Sequence, residues 1–459
     1  MEIFRAYDIR GEYPKDINEE IAYKIARILV QTFNAKKVII GHDIGLASPK
    51  IYKALIKGSL EQGANVYKLG IVSTDLIYFA ANYYKSDIAF QVTASHLTNY
   101  LTGIKISGPG VTPFGKGLGM EKLKENYLRY KEVKPIRKGI SKEKNVWKNF
   151  INQVLTFVDL KKIKSLKVVV DASNSVGSLV IDNLEKHLPM VKFIKLNWKL
   201  DGHYPGHPPN PFLKENREQL VTKVKEVKAN LGVAFDGDAD RIYFIDENGD
   251  YIFGVYINAL IAEKMSKKNP RRVILYDVRA IRYIKKKIIE AGGIPKMELI
   301  GHNFFKNRMK KENALFGAEA SGHIYYNFGD YVAENSLIAF CQILEIISES
   351  NKSLSELTKD GRKNFPVSGE YNFLLPNFTN KILDKIRKKY SNGKISDFDT
   401  LTIYYPDWNF NLRPSVNEPV LRFNAEAINR EVLLRKQEEI FKLLKAEGCQ
   451  YLNDSGVTL

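Results

Sequence analysis

The chain has 459 residues, of which 44% are hydrophobic and 11% aromatic, and its formal net charge is +18. This length predicts about three or four domains, and the hydrophobic content excludes wholesale disorder. The positive charge suits an anionic partner, either a nucleic acid or a phosphorylated small molecule. Because the basic residues are scattered along helices that also carry acids, we favour a solvated lysine-rich surface and expect no nucleic-acid partner.

The compartment is predicted from the composition of the first residues and from the cysteines. The opening stretch, MEIFRAYDIRG, is too charged for a signal peptide, and no apolar run approaches the ~18 residues needed to cross a bilayer. The two cysteines, Cys341 and Cys449, suggest neither a disulfide framework nor a zinc site. We therefore expect a cytoplasmic protein with no membrane partner.

Strand-like and helix-like stretches alternate through most of the chain, which predicts α/β domains. In the first unit we predict strands over 35–43, 65–72 and 87–92, helices over 48–61 and 75–84, and a charged linker over 131–144. In the second we predict strands over 167–171, 191–196, 231–235 and 242–245, a helix over 176–188 and another from about 215. In the third we predict helices over 255–267, 281–291 and 334–348, one ending near 311, and strands over 272–277, 297–300 and 314–316.

From about residue 364 the pattern changes to antiparallel strands. We predict these over 370–375, 400–405 and 420–424, with an aromatic turn before the last strand and a helix over 430–447. The fold class is therefore α/β, with three mixed-sheet α/β domains and a smaller C-terminal α+β domain. The predicted domains are 1–145, 146–250, 251–363 and 364–459.

A short acidic loop, 236–241, follows the predicted strand at 231–235. Its carboxylates, Asp236, Asp238 and Asp240, would repel one another unless a cation lay between them. A hard divalent ion with oxygen ligands is the natural partner, and Mg²⁺ suits a site that leaves places for phosphate or water. A solvated acidic turn is the plainer alternative, although the small residues between the aspartates keep the loop compact.

Two further interpretations of the acidic loop stay open at this point. In an EF-hand the aspartates would take positions 1, 3 and 5, but Arg241 stands where the sharp turn needs glycine. In an aspartyl-phosphate hydrolase Asp236 or Asp238 would be the nucleophile. The second interpretation leaves the other polar loops of the chain unexplained.

Polar loops also end strands elsewhere, at the edge where open α/β sheets bind ligands. Ser95 and His96 follow the strand that ends at Val92, and Lys105 comes ten residues later, where a strand after the loop could direct it back towards them. A second loop carries groups suited to hydrogen-bonding a polyol, namely Glu319, Ser321 and His323. A third carries groups suited to binding a phosphate dianion, namely Arg413, Ser415 and Asn417, with Arg422 beyond it.

Together these loops resemble the α-D-phosphohexomutase family, in particular its phosphomannomutase/phosphoglucomutase branch. The resemblance spans nearly the whole chain. It is carried by the motifs FRAYDIRG (4–11), TASH (93–96), GIK (103–105), DGDADR (236–241), GH (301–302), EASGH (319–323) and RPSVNEP (413–419). It implies three mixed-sheet α/β domains and a C-terminal domain of TATA-binding-protein-like topology around one cleft.

The resemblance also implies a reaction. Ser95 would be a catalytic phosphoserine, bridged by Mg²⁺ to Asp236, Asp238 and Asp240. The substrate would be a hexose phosphate of mannose and/or glucose, whose 1- and 6-phosphates interconvert through a hexose 1,6-bisphosphate. The oligomeric state stays open.

Further roles follow from the same resemblance. Arg241 and Arg10 would neutralise charge in phosphoryl transfer. Lys105 and His302 are the acid/base candidates, and we expect a nearby cationic cluster to depress the pKa of Lys105. The implied substrate-binding residues are Tyr7, Arg279, Glu319, Ser321, His323, Arg413, Ser415, Asn417 and Arg422.

Two departures from the family pattern bear on efficiency and substrate choice. Leu97 follows the Ser-His pair where the family usually has Asn, and Val416 replaces Gly or Asn in the phosphate loop. Two alternatives are therefore kept. One is a phosphoglucosamine mutase, and the other is a non-catalytic homologue that binds anions or nucleic acid.

Overall fold

The computed structural model describes residues 3–97, 100–134, 138–375, 380–415 and 419–457. Within these ranges the strands form four sheets, which follow one another along the chain. The first three sheets mix parallel and antiparallel pairs, and the fourth is antiparallel. The predicted fold class is confirmed.

The first sheet spans the region that carries Ser95. Its elements are β1 (Ile9–Glu12), α1 (Glu19–Thr32), β2 (Lys37–His42), α2 (Ser48–Glu61), β3 (Asn65–Ile71), α3 (Thr74–Tyr83), β4 (Ile88–Val92), β5 (Leu101–Gly108), β6 (Thr112–Pro113), α4 (Met120–Leu128) and β7 (Ser141–Glu143). The strand order is β1-β5-β4-β2-β3-β7, with β6 beside β5. The predicted linker is wrong at β7, because this exposed edge strand lacks a hydrophobic pattern and is specified by its parallel pairing with β3.

The second sheet carries the acidic loop, which joins two of its strands. Its elements are α5 (Trp147–Leu155), β8 (Leu166–Asp171), α6 (Gly177–Leu184), β9 (Val191–Leu196), α7 (Glu218–Val227), β10 (Leu231–Phe235), β11 (Ile242–Ile245) and β12 (Tyr251–Ile252). The strand order is β12-β11-β10-β8-β9. Every residue of β10 is buried, so the acidic loop leaves the sheet from a fixed central strand.

The third sheet differs from its prediction at several elements. Its elements are α8 (Gly254–Lys268), β13 (Val273–Asp277), α9 (Arg282–Glu290), β14 (Ile294–Glu298), α10 (His302–Glu312), β15 (Phe316–Ala318), β16 (Ile324–Asn327), β17 (Val332–Glu334), α11 (Ser336–Ser350) and α12 (Leu354–Asn364). The strand order is β14-β13-β15-β16-β17. The predictions missed β16, β17 and α12, placed β14 a few residues late, and put Glu334 in a helix, whereas it ends β17.

The fourth sheet carries the predicted phosphate loop. Its elements are β18 (Val367–Leu374), α13 (Asn380–Lys389), β19 (Lys394–Ser396), β20 (Leu401–Tyr404), β21 (Trp408–Pro414), β22 (Val420–Ala427), α14 (Arg430–Ala446) and β23 (Gln450–Asp454). The strand order is β19-β20-β21-β22-β18-β23. The predicted aromatic turn is wrong, because Trp408 and Phe410 are buried between β20 and β22 as part of a central strand.

The second and third sheets share a hydrophobic core, and this core supports loops of the site. Buried apolar residues of the second and third sheets form one continuous cluster that also includes α3, whereas the first and fourth sheets have cores of their own. The loops after β4, β10 and β15 are therefore carried by packed elements. In the described part of the chain, no helix has the length and apolar character needed to cross a membrane.

Candidate active site

Loops from all four sheets line one cleft. The predicted site residues on its wall are Tyr7, Arg10, Ser95, Lys105, Arg241, Arg279, His302, Glu319, Ser321, His323, Arg413 and Arg422. The aspartates of the acidic loop lie buried beneath this wall. Ser415 lies just after β21, where its N–H donates to the Val420 carbonyl (2.7 Å). Val416 and Asn417 lie outside the described residues.

Ser95 is held in a sharp turn between β4 and β5. Its backbone is left-handed (φ 58°), and its N–H donates to the Thr93 hydroxyl at 2.7 Å. Its Oγ lies 3.0 Å from Nη2 of Arg241 and 3.4 Å from a carboxylate oxygen of Asp236. The hydroxyl therefore faces both a guanidinium and the acidic loop, which is the placement that a phosphoryl carrier needs.

The acidic loop presents its carboxylates to one point. One oxygen each from Asp236, Asp238 and Asp240 lies within 4.8 Å of the others. The Thr74 hydroxyl donates to Asp238 at 2.6 Å, and Nε of Arg241 donates to Asp236 at 2.7 Å. In the described structure, Oδ1 of Asp238 and Oδ1 of Asp240 are buried and have no hydrogen-bond partner. This donor set fits a hard divalent cation.

Burial and neighbouring charges shift the pKa values of Asp236 and Asp240 in opposite directions. Burial raises the pKa of Asp236 to about 7, although the Arg241 guanidinium opposes the shift. Burial also opposes ionisation of Asp240, but Lys105 and Arg241 outweigh it and lower the pKa of that carboxyl. The ionised form of Asp240 is therefore the better supported by its neighbours.

Lys105 lies on β5 and points into the acidic loop. Its Nζ lies 2.6 Å from Asp238 and 2.5 Å from Asp240. Burial would lower the pKa of this ammonium, but the two carboxylates outweigh burial and raise it. The expected depression of the Lys105 pKa is therefore wrong, because its nearest charges are carboxylates and not the predicted cations.

His302 and His323 are partly buried imidazoles on the third-sheet side of the cleft, each with a side chain that is 17% exposed. Burial lowers both pKa values well below the ordinary range. The cations Lys306 and Lys105 lower the pKa of His302 further, and Arg241 and Lys105 do the same for His323. Both rings are therefore neutral at neutral pH.

The loop after β15 is braced by hydrogen bonds. Glu319 accepts from the Gly301 N–H at 2.7 Å and from the Ser321 hydroxyl at 3.1 Å. Nη2 of Arg279 lies 3.1 Å from the Ser321 hydroxyl oxygen. Burial raises the pKa of Glu319, an effect that Arg279 opposes. The arrangement fixes one carboxylate and one hydroxyl beside the cleft, where they can hydrogen-bond a polyol.

Three arginines, which we call the arginine cluster, face the cleft from the third and fourth sheets. Arg413 and Arg422 are register partners on β21 and β22, and Arg279 follows β13. The acid Glu370 lies among them. Arg279 already donates to Asp277 and Ser321, whereas no side-chain hydrogen bond from Arg413 or Arg422 is found among the described residues. Guanidinium groups with free donors are suited to a phosphate dianion.

Sequence comparison identifies the family. Residues 1–133, 148–249 and 248–365 match phosphoglucomutase/phosphomannomutase alpha/beta/alpha domains I, II and III, respectively. A phosphomannomutase of Escherichia coli is 36% identical over 454 residues, which cover 96% of this chain and 99% of that protein. The chain belongs to the phosphoglucomutase/phosphomannomutase family.

Other members of the family support the assignment. A phosphomannomutase of Methanocaldococcus jannaschii is 33% identical over 447 residues, which cover 96% of this chain and 97% of that protein. The crystal structure of a phosphoglucomutase/phosphomannomutase family protein from Burkholderia thailandensis matches with a TM-score of 0.85 at 28% identity and covers 97% of each chain. The chain is thus an enzyme of the mutase type, an isomerase of carbohydrate metabolism.

The sequence analysis did not identify several residues at the site of this chain. Thr74 and Glu370 contact the acidic loop and the arginine cluster, but each is a single polar residue near the start of an element, which carries no local signal. Asn210 also lines the cleft. It lies in a proline-rich stretch, 203–211 (HYPGHPPNP), whose unusual composition is a local signal that could have drawn attention to it.

Proposed function

We propose that this chain interconverts the 1- and 6-phosphates of a hexose, mannose and/or glucose, using Mg²⁺, a phosphoserine at Ser95 and a hexose 1,6-bisphosphate intermediate. The observation that carries the proposal is the position of Ser95 Oγ, 3.0 Å from Arg241 and 3.4 Å from Asp236 of the acidic loop. The relatives named phosphomannomutase in Escherichia coli and Methanocaldococcus jannaschii support the substrate class.

The acidic loop is the proposed metal site. Asp236, Asp238 and Asp240, together with the phosphorylated Ser95, would hold the ion. Bound there, Mg²⁺ would neutralise negative charge at the phosphoryl group. Lys105 also contributes positive charge at this point, since it already contacts two of the aspartates.

In the first transfer, a sugar hydroxyl attacks phosphorus on Ser95. The new O–P bond forms as the bond between phosphorus and Oγ breaks, and the electron pair stays on Oγ, which faces Arg241 and takes up a proton from Lys105. The proton of the attacking hydroxyl passes to the imidazole of His302, our favoured base, which is neutral in the free protein and whose pKa the negative charge of the bound phosphates would raise. Lys105, whose raised pKa keeps it protonated, is better suited to donate than to accept. Arg10 contributes further positive charge.

In the second transfer, Ser95 recovers a phosphoryl group from the other end of the sugar. Oγ returns its proton to Lys105 as it attacks that phosphorus, the bond from phosphorus to the sugar oxygen breaks, and the sugar oxygen takes the proton back from His302. The protein is then restored and the phosphate has changed position. The sugar must turn in the cleft between the two transfers, since only one serine serves both ends.

The rest of the cleft would bind the sugar and its second phosphate. Each of the four proposed domains (1–145, 146–250, 251–363 and 364–459) contributes a loop to this task. The proposed contacts to sugar hydroxyls come from Glu319, Ser321, His323 and Tyr7. The proposed contacts to the non-reacting phosphate come from Arg279, Arg413, Arg422, Ser415 and Asn417.

Ser95→Ala tests the proposal. Intact-protein mass spectrometry should find a phosphate on the wild type and none on the variant. Mutase activity towards mannose 1-phosphate, glucose 1-phosphate and glucosamine 1-phosphate, primed with the bisphosphate, should fall by at least about four orders of magnitude. Ser141→Ala, at an exposed position on β7, is the control and should keep both properties. Full activity in Ser95→Ala would refute the mechanism.

A further inference from the structure

A single carboxylate lies among the members of the arginine cluster. Oε2 of Glu370 is 3.7 Å from Nη1 of Arg279 and 3.8 Å from Nη2 of Arg413. Its Oε1 is 3.9 Å from Nε of Arg422. The acid is 4% exposed and forms part of the cleft wall. One anion therefore faces cations from two different sheets.

These contacts are ion pairs without hydrogen bonds, because each distance exceeds the normal N–H···O range. Among the described residues, Nε and Nη2 of Arg413 and Nε of Arg422 are buried and have no hydrogen-bond partner, and neither does Oε2 of Glu370. These buried nitrogens face Glu370 and Asp399, so the N–H groups that remain for phosphate oxygens are the other ones of Arg413 and Arg422, both of which line the cleft. Glu370 supplies charge to the cluster without occupying its donors.

The local fold aims Glu370 at the arginines. The pairing of β18 with β22 is interrupted between Val367 and Glu370, and Gly369 within this irregularity is left-handed (φ 74°). Burial would raise the pKa of Glu370, but Arg422, Arg279 and Arg413 outweigh burial and lower it. The carboxylate is therefore charged at neutral pH.

Other acids near the cluster each serve one arginine. Oδ2 of Asp399 lies 3.8 Å from Nε of Arg413, and Asp277 hydrogen-bonds Arg279. Glu370 differs from both because it faces all members of the cluster.

We propose that Glu370 is a counter-charge that weakens the hold of the arginine cluster on phosphate, so that the sugar phosphate can leave the cluster and turn between the two transfers. This inference rests on the proposed function. A mutase must present each end of the bisphosphate to the same arginines in turn. Binding that is equally tight at every stage lowers KM without raising kcat, and here it would also slow the turning step.

Glu370→Gln is the direct test, because it removes the charge and keeps the shape. The titrants are inorganic phosphate and glucose 1,6-bisphosphate, followed by calorimetry at fixed ionic strength. We expect the Kd of both to fall about tenfold. In steady-state assays KM and kcat should fall together. A Kd that is unchanged or raised would show that Glu370 only organises the arginines, and would overturn the proposal.

Asn372→Asp gives a test of opposite sign that does not depend on the folding of the first variant. Asn372 lies two residues along β18, so it is on the same face as Glu370, and it also lines the cleft. The added carboxylate should raise the Kd for inorganic phosphate about tenfold. An unchanged or lower Kd in this variant would contradict the counter-charge.

Different results would refute the proposed function and the proposed role of Glu370. A wild-type protein that converts no hexose phosphate would refute the proposed function. An active wild type with weaker phosphate binding in Glu370→Gln would refute the role of Glu370 alone.

Discussion

Gly237 is the point where the acidic loop touches the Ser95 turn, and its replacement by alanine tests how closely the two must approach. A Cβ on Gly237 would lie 2.2 Å from the Ser95 carbonyl oxygen and 3.4 Å from Pro209 on the other side. The backbone of Gly237 is not among the left-handed positions, so alanine adds a contact without adding backbone strain. The perturbation is therefore steric.

The size of the effect follows from these distances. Cβ atoms do not approach other heavy atoms closer than 3.0 Å, so the two loops must separate by at least 0.8 Å, the difference between 3.0 and 2.2 Å. Hydrogen bonds restrict the movement of both loops. The Ser175 hydroxyl donates to the Gly237 carbonyl, and the Ser95 N–H donates to the Thr93 hydroxyl. A misplacement of about 1 Å costs on the order of 100-fold in rate.

We therefore expect Gly237→Ala to lower kcat about 100-fold while KM changes little, since the arginine cluster and the loop after β15 are untouched. The assay is hexose-phosphate mutase turnover, with circular dichroism melting as the check on folding. Gly329→Ala is the control, because a Cβ there meets nothing within 4 Å and its left-handed backbone (φ 88°) adds local strain only. A folded Gly237→Ala enzyme with wild-type kcat would refute the argument that the two loops need contact distance.

Two further predictions concern metal and pH. Removing divalent ions with a chelator should abolish turnover, and added Mg²⁺ should restore it; turnover that survives exhaustive chelation would contradict the proposed role of the acidic loop. The side chain of His207 is 8% exposed. Its Nε2 donates to Asp171 (2.9 Å) and its Nδ1 donates to the Pro208 carbonyl (2.8 Å), so both nitrogens need protons. Burial opposes the charge on the ring, but Asp171 outweighs burial and raises the pKa of His207. The stabilisation by this pair is complete below the ordinary histidine pKa of about 6.5 and is lost as the pH rises through the higher pKa of the folded protein. His207→Gln should therefore lower the free energy of unfolding, measured with denaturant, by about 1.5–3 kcal/mol at pH 6 and by less at pH 9. An equal loss at both pH values would disprove the charged pair.

Local patterns predicted the packed elements well. The helix α2 has its predicted bounds, Ser48–Glu61, because a proline in its first turn and an apolar face of helical period are both local signals. The strand β10 was predicted because a short apolar run bounded by polar residues is typical of a central strand. The same reasoning failed for β7 and β21, whose state depends on a neighbouring strand that lies far away in the chain.

The sequence by itself determined which chemical groups stand at the ends of the strands, from Ser95 to the acidic loop and Arg413. Strand-end loops are short-range features, and the residues in them can be identified without knowing their partners. Only the tertiary structure decided that Lys105 pairs with Asp238 and Asp240, which raises its pKa, and that Glu370 lies among arginines from two sheets. Pairings of this kind join residues distant in the chain, and the Coulomb interaction that sets their charge states depends on separation in space.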